Sequence, residues 1–220
     1  MGADVEREKQ LAAEAAAALA EDGMTVGLGT GSTAAYFFAA LATRRLELRC
    51  VATSDATEQA ARALGLHVES FAGLGTLPRL DLAVDGADQV APGGWVVKGG
   101  GGAHTREKIV AAAAERFVVI VSSDKLVERI RGPIPLELLE FGLAATLEAL
   151  EHAQLRDAAR TPDRGVLADW TGSVDDPRDL AVRLSATPGV VEHGLFPPEL
   201  VSDVIVGRGA GVERVHPVSA

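Results

Sequence analysis

The chain has 220 residues and a formal net charge of −10, from 21 Lys plus Arg and 31 Asp plus Glu. Its hydrophobic content of 47 % excludes an intrinsically disordered chain, and its acidic balance with scattered basic residues disfavours electrostatic binding of nucleic acid. The lone cysteine, Cys50, excludes an intramolecular disulfide and a cysteine-based zinc site. Because the sequence shows no apolar signal segment and no membrane span, we expect a soluble cytoplasmic protein.

The first 122 residues alternate between helical and strand patterns. Four segments have helical composition and end signals, namely 4–22, 33–42, 55–64 and 105–116. Six short apolar segments are predicted strands, namely 24–28, 48–53, 67–71, 80–84, 95–97 and 117–122. Apolar strands that alternate with helices indicate a parallel sheet covered on both faces, and therefore an α/β fold.

The pattern changes after about residue 130. Pro133 and Pro135 interrupt the chain, and the elements predicted beyond them are helices over 140–153 and 177–185 and strands over 165–170 and 190–196. The apolar segment 204–206 is expected to return to the first sheet. We therefore predict one domain from residues 1–130 and 203–220, and a small α+β domain from residues 131–202.

A glycine-rich turn, Gly29-Thr30-Gly31-Ser32-Thr33, joins the first predicted strand to the second helix. Glycines let the backbone approach an anion, and the helix N-terminus supplies free N–H groups, so the turn suits one phosphate. The absence of a lysine after the last glycine excludes a Walker A loop, and the absence of a third glycine makes a poor dinucleotide fingerprint. A tight capped turn without any ligand has the same composition.

Two carboxylates follow the predicted strand 80–84, in the sequence Asp85-Gly86-Ala87-Asp88. Ligands of parallel sheets gather at the carboxyl ends of the strands, where two carboxylates can act as acid and base on neighbouring oxygens. Asp-Gly is also a common turn signal, but no alternating strand follows directly, so a plain hairpin fits poorly.

Four consecutive glycines, 99–102, separate Lys98 from the next predicted helix, and Glu107 lies in the first turn of that helix. Such a run costs conformational entropy and is typical of backbone that approaches a ligand. The helix dipole stabilises Glu107 as an anion, which keeps it available as a base. The alternative is a solvated lysine and a carboxylate that only complements the dipole.

Two further polar junctions follow predicted strands, namely Thr53-Ser54-Asp55-Ala56-Thr57 and Ser122-Ser123-Asp124-Lys125. Each has the composition of a helix cap, yet its position at a strand end places it near the same crevice. The five histidines lack the spacing of metal ligands, and no G-x-S-x-G nucleophile elbow occurs.

In this order and spacing, the motifs resemble the A-type ribose-5-phosphate isomerase family. The resemblance rests on residues 27–33, 53–57, 85–88, 98–101, 105–108 and 124–125, and it continues through 133–137 and 189–196 to cover nearly the whole chain. It implies a Rossmann-like main domain with a small ferredoxin-like domain, and interconversion of ribose 5-phosphate and ribulose 5-phosphate in the non-oxidative pentose phosphate pathway. It also implies no metal, no organic cofactor, and a homodimer or homotetramer.

The resemblance also assigns roles to the motif residues. It makes Glu107 the base that moves a proton through a cis-enediolate, and Lys98 the group that stabilises the oxyanion. Asp85 and Asp88 handle hydroxyl protons and ring opening, with the division between them left open. The residues implied to bind the substrate or its phosphate are Lys9, Thr30, Gly31, Ser32, Thr33, Gly99, Gly100, Gly101 and Lys125.

The chain departs from the family pattern at Gln89, where Glu is usual, at His104, where a large apolar residue is usual, and at Leu138-Leu139-Glu140.

Two other classes of protein share parts of this pattern. A sugar-phosphate-sensing domain of a transcription regulator needs a helix-turn-helix, for which the segment before the glycine turn is too short. An NAD(P)-dependent oxidoreductase would bind its cofactor in a fluorescence titration, and a gel shift would detect a DNA-binding regulator.

Overall fold

The computed structural model of the protein describes residues 2–216. Its helices are α1 (Gly2–Ala17), α2 (Ser32–Thr43), α3 (Asp55–Ala63), α4 (His104–Ala113), α5 (Leu143–Leu150) and α6 (Pro177–Ala186). Its strands up to the middle of the chain are β1 (Thr25–Leu28), β2 (Arg49–Ala52), β3 (Val68–Glu69), β4 (Leu80–Asp85), β5 (Gln89–Val90), β6 (Val96–Val97) and β7 (Ala114–Ser122). The remaining strands are β8 (Ile134–Leu138), β9 (Ala153–Leu155), β10 (Val166–Trp170), β11 (Val190–His193), β12 (Leu195–Phe196), β13 (Asp203–Arg208) and β14 (Gly211–Val215).

Seven strands form the main sheet, in the order β14-β13-β7-β4-β1-β2-β3. Neighbouring strands are parallel throughout, except for the antiparallel pair of β13 and β14. Val118 and Ile120 of β7 pack on one face with residues of α1 and α2, whereas Val119 and Val121 pack on the other with Val110 of α4. Helices cover both faces, which explains the apolar strands and confirms the predicted α/β fold.

Two smaller sheets complete the fold. The order β11-β8-β10-β9 makes a four-stranded antiparallel sheet, which α5 and α6 cover with the core residues Leu150 and Leu184. The order β12-β6-β5 makes a three-stranded antiparallel sheet whose strands come from both halves of the chain. The division into two domains stays a prediction, and residues 217–220 of its first domain lie outside the described residues.

Several predicted element bounds are wrong for identifiable reasons. The helix predicted over 105–116 ends at Ala113, because the following residues pair with β4 as the start of β7. The helix predicted over 140–153 shrinks to α5, since Gly142 adopts a left-handed φ of +74° just before it. The strand predicted over 190–196 is two strands in different sheets, separated at Gly194. The first helix ends at Ala17, short of the predicted residue 22.

The sequence pattern does not predict β5, β8, β9 or β14. Pro135, interpreted as an interruption, lies inside β8, and its carbonyl accepts a hydrogen bond of 2.7 Å from the N–H of Gly194. The pairing of β11 with β8 ends at Leu136, so Pro135 needs no N–H donor toward that strand. In contrast, the expected return of 204–206 to the first sheet is confirmed by the parallel pairing of β13 with β7.

Among residues 2–216, no helix is both long and apolar enough to cross a lipid bilayer.

Candidate active site

A cleft of about 180 Å³ opens at the carboxyl ends of β1 and β4. It is lined by Lys9, Thr30, Gly31, Ser32, Thr33, Gly86, Ala87, Asp88, Lys98, Gly99, Gly100, Gly101, Glu107 and Lys125. Every site residue predicted from the sequence belongs to this lining except Asp85, which lies directly behind Lys98. The parallel strands β1, β4 and β7 end at the same edge of the main sheet, so the motifs that follow them converge here. The antiparallel strand β6 brings Lys98 and the glycine loop to the same place.

Lys98 is the central cation of the cleft. Its Nζ lies 3.0 Å from Oδ2 of Asp85 and 3.3 Å from Oε2 of Glu107, and it donates a hydrogen bond of 2.5 Å to the carbonyl of Gly86. The residues Asp85, Lys98 and Glu107 are only 2 %, 3 % and 5 % exposed, respectively. The two carboxylate oxygens have no hydrogen-bond donor of good geometry among the described residues, so the ammonium is their main source of stabilisation.

Asp85 is held in place by the glycine-rich turn. Its Oδ1 accepts hydrogen bonds from the N–H of Thr30 at 3.1 Å and the N–H of Gly86 at 2.7 Å. The backbone of Gly29 passes so close to this side chain that a Cβ atom there would overlap the carboxyl group. Glycine at position 29 is therefore required by the space that the Asp85 carboxylate occupies.

The pKa values at the centre follow from burial and charge. Burial raises the pKa of Glu107 to about 8, with a further contribution from the charge of Asp85, and Lys98 only partly offsets both. Burial also raises the pKa of Asp85, against the opposing effect of Lys98. For Lys98, burial by itself would lower the pKa, but the charges of Asp85 and Glu107 outweigh it and raise the pKa. The centre therefore combines a persistent cation with a carboxyl group that can exchange a proton near neutral pH.

The glycine-rich turn before α2 lines another part of the cleft. Gly31 has a φ of +110° and precedes α2, whose first N–H groups have no partner within the helix. Ser32 begins this helix, and its Oγ accepts a hydrogen bond of 3.1 Å from Nζ of Lys9. Lys9 and Lys125 both line the cleft, as do Gly31 and Ser32 at the N-terminus of α2, and this combination of groups suits an anion.

Thr30 joins the glycine-rich turn to the junction that follows the neighbouring strand. Its hydroxyl lies 2.7 Å from the hydroxyl of Thr53, 2.9 Å from that of Ser54 and 3.2 Å from that of Thr57. Ser54 is also the N-cap of α3, where its hydroxyl accepts from the N–H of Thr57. The junction 53–57 therefore fixes the turn from behind, and direct binding of substrate by Thr30 stays a prediction.

Asp88 and the glycine loop form the wall opposite the turn. One carboxylate oxygen of Asp88 accepts a hydrogen bond of 2.8 Å from the N–H of Gly100. Gly99 has a φ of +102°, and a Cβ atom there would be 2.6 Å from Nδ1 of His104. The loop thus requires glycine both for its backbone conformation and for its packing against His104.

The departures from the family pattern have structural counterparts. Gln89 donates through Nε2 to the carbonyl of Arg131 at 2.7 Å, and its Oε1 accepts from the backbone N–H of Arg131 at 3.0 Å. An ionised glutamate has no donor, so it could not make the first of these bonds. His104 is fully buried, and burial, aided by the charge of Lys108, lowers its pKa to about 4. A neutral imidazole therefore fills a place for which an apolar residue is usual.

Two residues of the site region are not singled out by any sequence motif. Glu8 is buried, and its Oε2 accepts hydrogen bonds from the N–H and the hydroxyl of Ser123 at 2.9 and 2.7 Å, which fixes the turn that carries Lys125. Arg156 contacts the glycine loop from the four-stranded sheet. The only signal for Glu8 is its place beside Lys9, and Arg156 has no local signal.

Among the described residues, no group of three or more His, Cys, Asp or Glu is arranged to hold a metal ion.

Comparisons with known proteins agree over nearly the whole chain. Residues 49–211 match the family model of ribose 5-phosphate isomerase A (phosphoriboisomerase A). The ribose-5-phosphate isomerase A of Caulobacter sp. (strain K31) is 41 % identical over 225 residues, covering 96 % of this chain and 98 % of the relative. That of Gloeobacter violaceus is 45 % identical over 235 residues, covering 99 % of each.

Solved structures give the same result. Ribose 5-phosphate isomerase A from Methanocaldococcus jannaschii has a TM-score of 0.88 at 33 % identity, covering 94 % of this chain and 97 % of that one. A D-ribose-5-phosphate isomerase in complex with phospho-erythronic acid has a TM-score of 0.89 at 34 % identity, covering 96 % and 99 %.

The fold and the cleft define an α/β enzyme with buried titratable side chains beside a glycine-rich turn. The matches in sequence and structure identify one family within this class of enzymes. The chain belongs to the ribose 5-phosphate isomerase A family.

Proposed function

We propose that the cleft is the active site of an aldose–ketose isomerase in which Glu107 moves a proton between C2 and C1 of the open-chain substrate through a cis-enediolate. Family membership carries the overall reaction, the interconversion of ribose 5-phosphate and ribulose 5-phosphate in the pentose phosphate pathway. The observation that supports the assignment of roles is the single ammonium group of Lys98 between the carboxylates of Asp85 and Glu107.

The chemistry explains why a base and a cation must be adjacent. A proton on carbon next to a carbonyl is acidic only because the carbonyl oxygen takes up the negative charge. A base must therefore reach both carbons while a positive group lies beside the oxygens. Glu107 and Lys98 meet this requirement because both line the cleft and their charged atoms lie 3.3 Å apart.

The two aspartates differ in access to the substrate, which supports different roles. Asp88 lines the cleft and is anchored by the N–H of Gly100, so we assign it the hydroxyl protons and ring opening. Asp85 is buried behind Lys98, where its charge keeps the lysine protonated and in place.

We assign binding of the phosphate to two cations that line the cleft. A phosphate dianion needs compensating charge in a chain of net charge −10, and Lys9, Lys125 and the N-terminus of α2 supply it locally. The related isomerase solved with phospho-erythronic acid supports a ligand that carries both a phosphate and a sugar-like chain.

The direct test is an assay of ribulose 5-phosphate formation from ribose 5-phosphate by the purified protein, with and without a chelator. We expect turnover that survives chelation, since the roles above belong to side chains. An inactive protein would contradict the isomerase assignment, and activity abolished by chelation would contradict metal-free proton transfer.

We also expect the protein to be cytoplasmic and to form a homodimer or homotetramer, and light scattering measures the oligomeric state.

A further inference from the structure

Arg156 connects the four-stranded sheet to the glycine loop of the cleft. Its Nε and Nη2 donate hydrogen bonds of 2.8 and 2.6 Å to the two carboxylate oxygens of Asp169 on β10. Its Nη1 donates to the carbonyls of Gly99 at 2.9 Å and Gly100 at 3.2 Å. Asp169 therefore fixes one edge of a planar guanidinium group, and the other edge holds two successive carbonyls of the loop.

The geometry of the trans peptide carries this contact into the cleft. In a planar trans peptide the C=O and the N–H point in opposite directions. The carbonyl of Gly99 points at Arg156, so the N–H of Gly100 in the same peptide points away from it, and that N–H donates to Asp88 at 2.8 Å. The carbonyl of Gly100 is held in the same way, which directs the N–H of Gly101 away from Arg156.

We propose that Arg156 is a positioning residue for the isomerisation, acting through the peptides of the glycine loop on Asp88 and on the loop N–H donors. This inference rests on the proposed function of the cleft. Arg156 does not belong to the lining of the cleft, so its influence on the reaction passes through the backbone. Glycine residues have broad conformational freedom, and the loop keeps one orientation because a charged, doubly anchored group holds its carbonyls.

The loop also sets the positions of the two central side chains. Lys98 immediately precedes Gly99, and the carbonyl of Gly99 also accepts a hydrogen bond of 3.0 Å from the N–H of Gly102, just before α4 and Glu107. A loop released from Arg156 would therefore loosen the geometry of Asp88, Lys98 and Glu107 together. Binding of the phosphate would change little, because Lys9 and Lys125, to which the proposed function assigns it, belong to α1 and to the turn after β7 rather than to this loop.

The test compares steady-state kinetics of the wild-type enzyme, Arg156→Ala and Arg160→Ala. Arg160 is a matched control, since it forms an exposed ion pair with Glu140. For Arg156→Ala we expect kcat to fall by about 10- to 100-fold, with KM changed by less than about threefold. Millimolar guanidinium should restore part of the lost kcat in Arg156→Ala and leave the wild type and Arg160→Ala unaffected, because the free ion can occupy the vacated site.

Each result has a defined meaning. A wild type that does not isomerise ribose 5-phosphate contradicts the proposed function, whereas an active wild type with a normal kcat in Arg156→Ala overturns the positioning role alone. Lost activity that guanidinium does not restore, in step with a lowered melting temperature, also overturns it. If Arg156→Ala does not fold, Asp169→Asn replaces it, with an expected fall in kcat of about 3- to 10-fold at unchanged KM; wild-type kcat in that variant overturns the proposal.

Discussion

Nζ of Lys98 lies 3.3 Å from Oε2 of Glu107, although one residue follows β6 and the other lies in the first turn of α4. The glycine loop between them turns the chain so that the two side chains meet. Burial makes the charge of Glu107 costly, and the nearby ammonium keeps that cost low enough for the carboxylate to form. Glu107, the base of the proposed reaction, can therefore be either protonated or ionised near neutral pH.

Substitution of Glu107 by Gln should abolish turnover and preserve substrate binding. The amide keeps the shape of the side chain and removes the base, so we expect kcat to fall by at least about 100-fold. Binding is checked by the rise in melting temperature with ribose 5-phosphate, which a folded variant retains. Glu115→Gln, at an exposed position of β7, is the matched control. Near-normal kcat in Glu107→Gln would remove this residue from its role.

The rate should depend on pH through the same group. The pKa of Glu107 is raised to about 8, and the base form of a carboxyl group exists above its pKa. Log kcat/KM should therefore rise with a slope of about 1 toward pH 8 and level off above it. The measurement belongs above pH 7, because the substrate phosphate titrates near 6. A flat profile between pH 7 and pH 9 contradicts this prediction.

Replacement of Lys98 by Met should affect kcat far more than KM. In its proposed role the cation contacts an oxygen whose negative charge develops in the transition state, so its loss should cost about 100- to 1000-fold in kcat. Lys125→Met offers the opposite case: in its proposed role this lysine contacts the phosphate already in the ground state, so its loss should raise KM. A pure KM effect in Lys98→Met would make that lysine a binding residue.

Much of the site follows from sequence because of one property of the fold. Lys98 follows β6 of a separate antiparallel sheet. Asp85 and the glycine turn, however, each come at the end of a strand of the main sheet, and parallel strands bring such ends to a common edge. The convergence of these motifs could therefore be expected before any distance was known. The α/β class followed in the same way, from apolar strands alternating with helices.

Other features depend on contacts that no local pattern encodes. Arg156 reaches Gly99 across 57 positions, and Glu8 reaches Ser123 across 115. Strands such as β5 and β9 have two and three residues, too few to display a period. Burial decided the remaining question: the sequence left Lys98 and Glu107 as either surface charges or site residues, and their near-complete burial next to each other favours the second.

The close approach of Gly29 to Asp85 gives a prediction that separates packing from chemistry. In Gly29→Ala the added methyl group would overlap the Asp85 carboxyl, so the carboxylate or the turn must shift. We expect a loss of about 1–3 kcal/mol in the free energy of unfolding. We also expect a fall in kcat of about 100-fold, because a shifted Asp85 no longer holds the Lys98 ammonium in its position. Gly75→Ala is the matched control, since a methyl group there meets no atom within 4 Å. If Gly29→Ala loses stability but keeps its kcat, the position of Asp85 matters to the fold and not to the reaction.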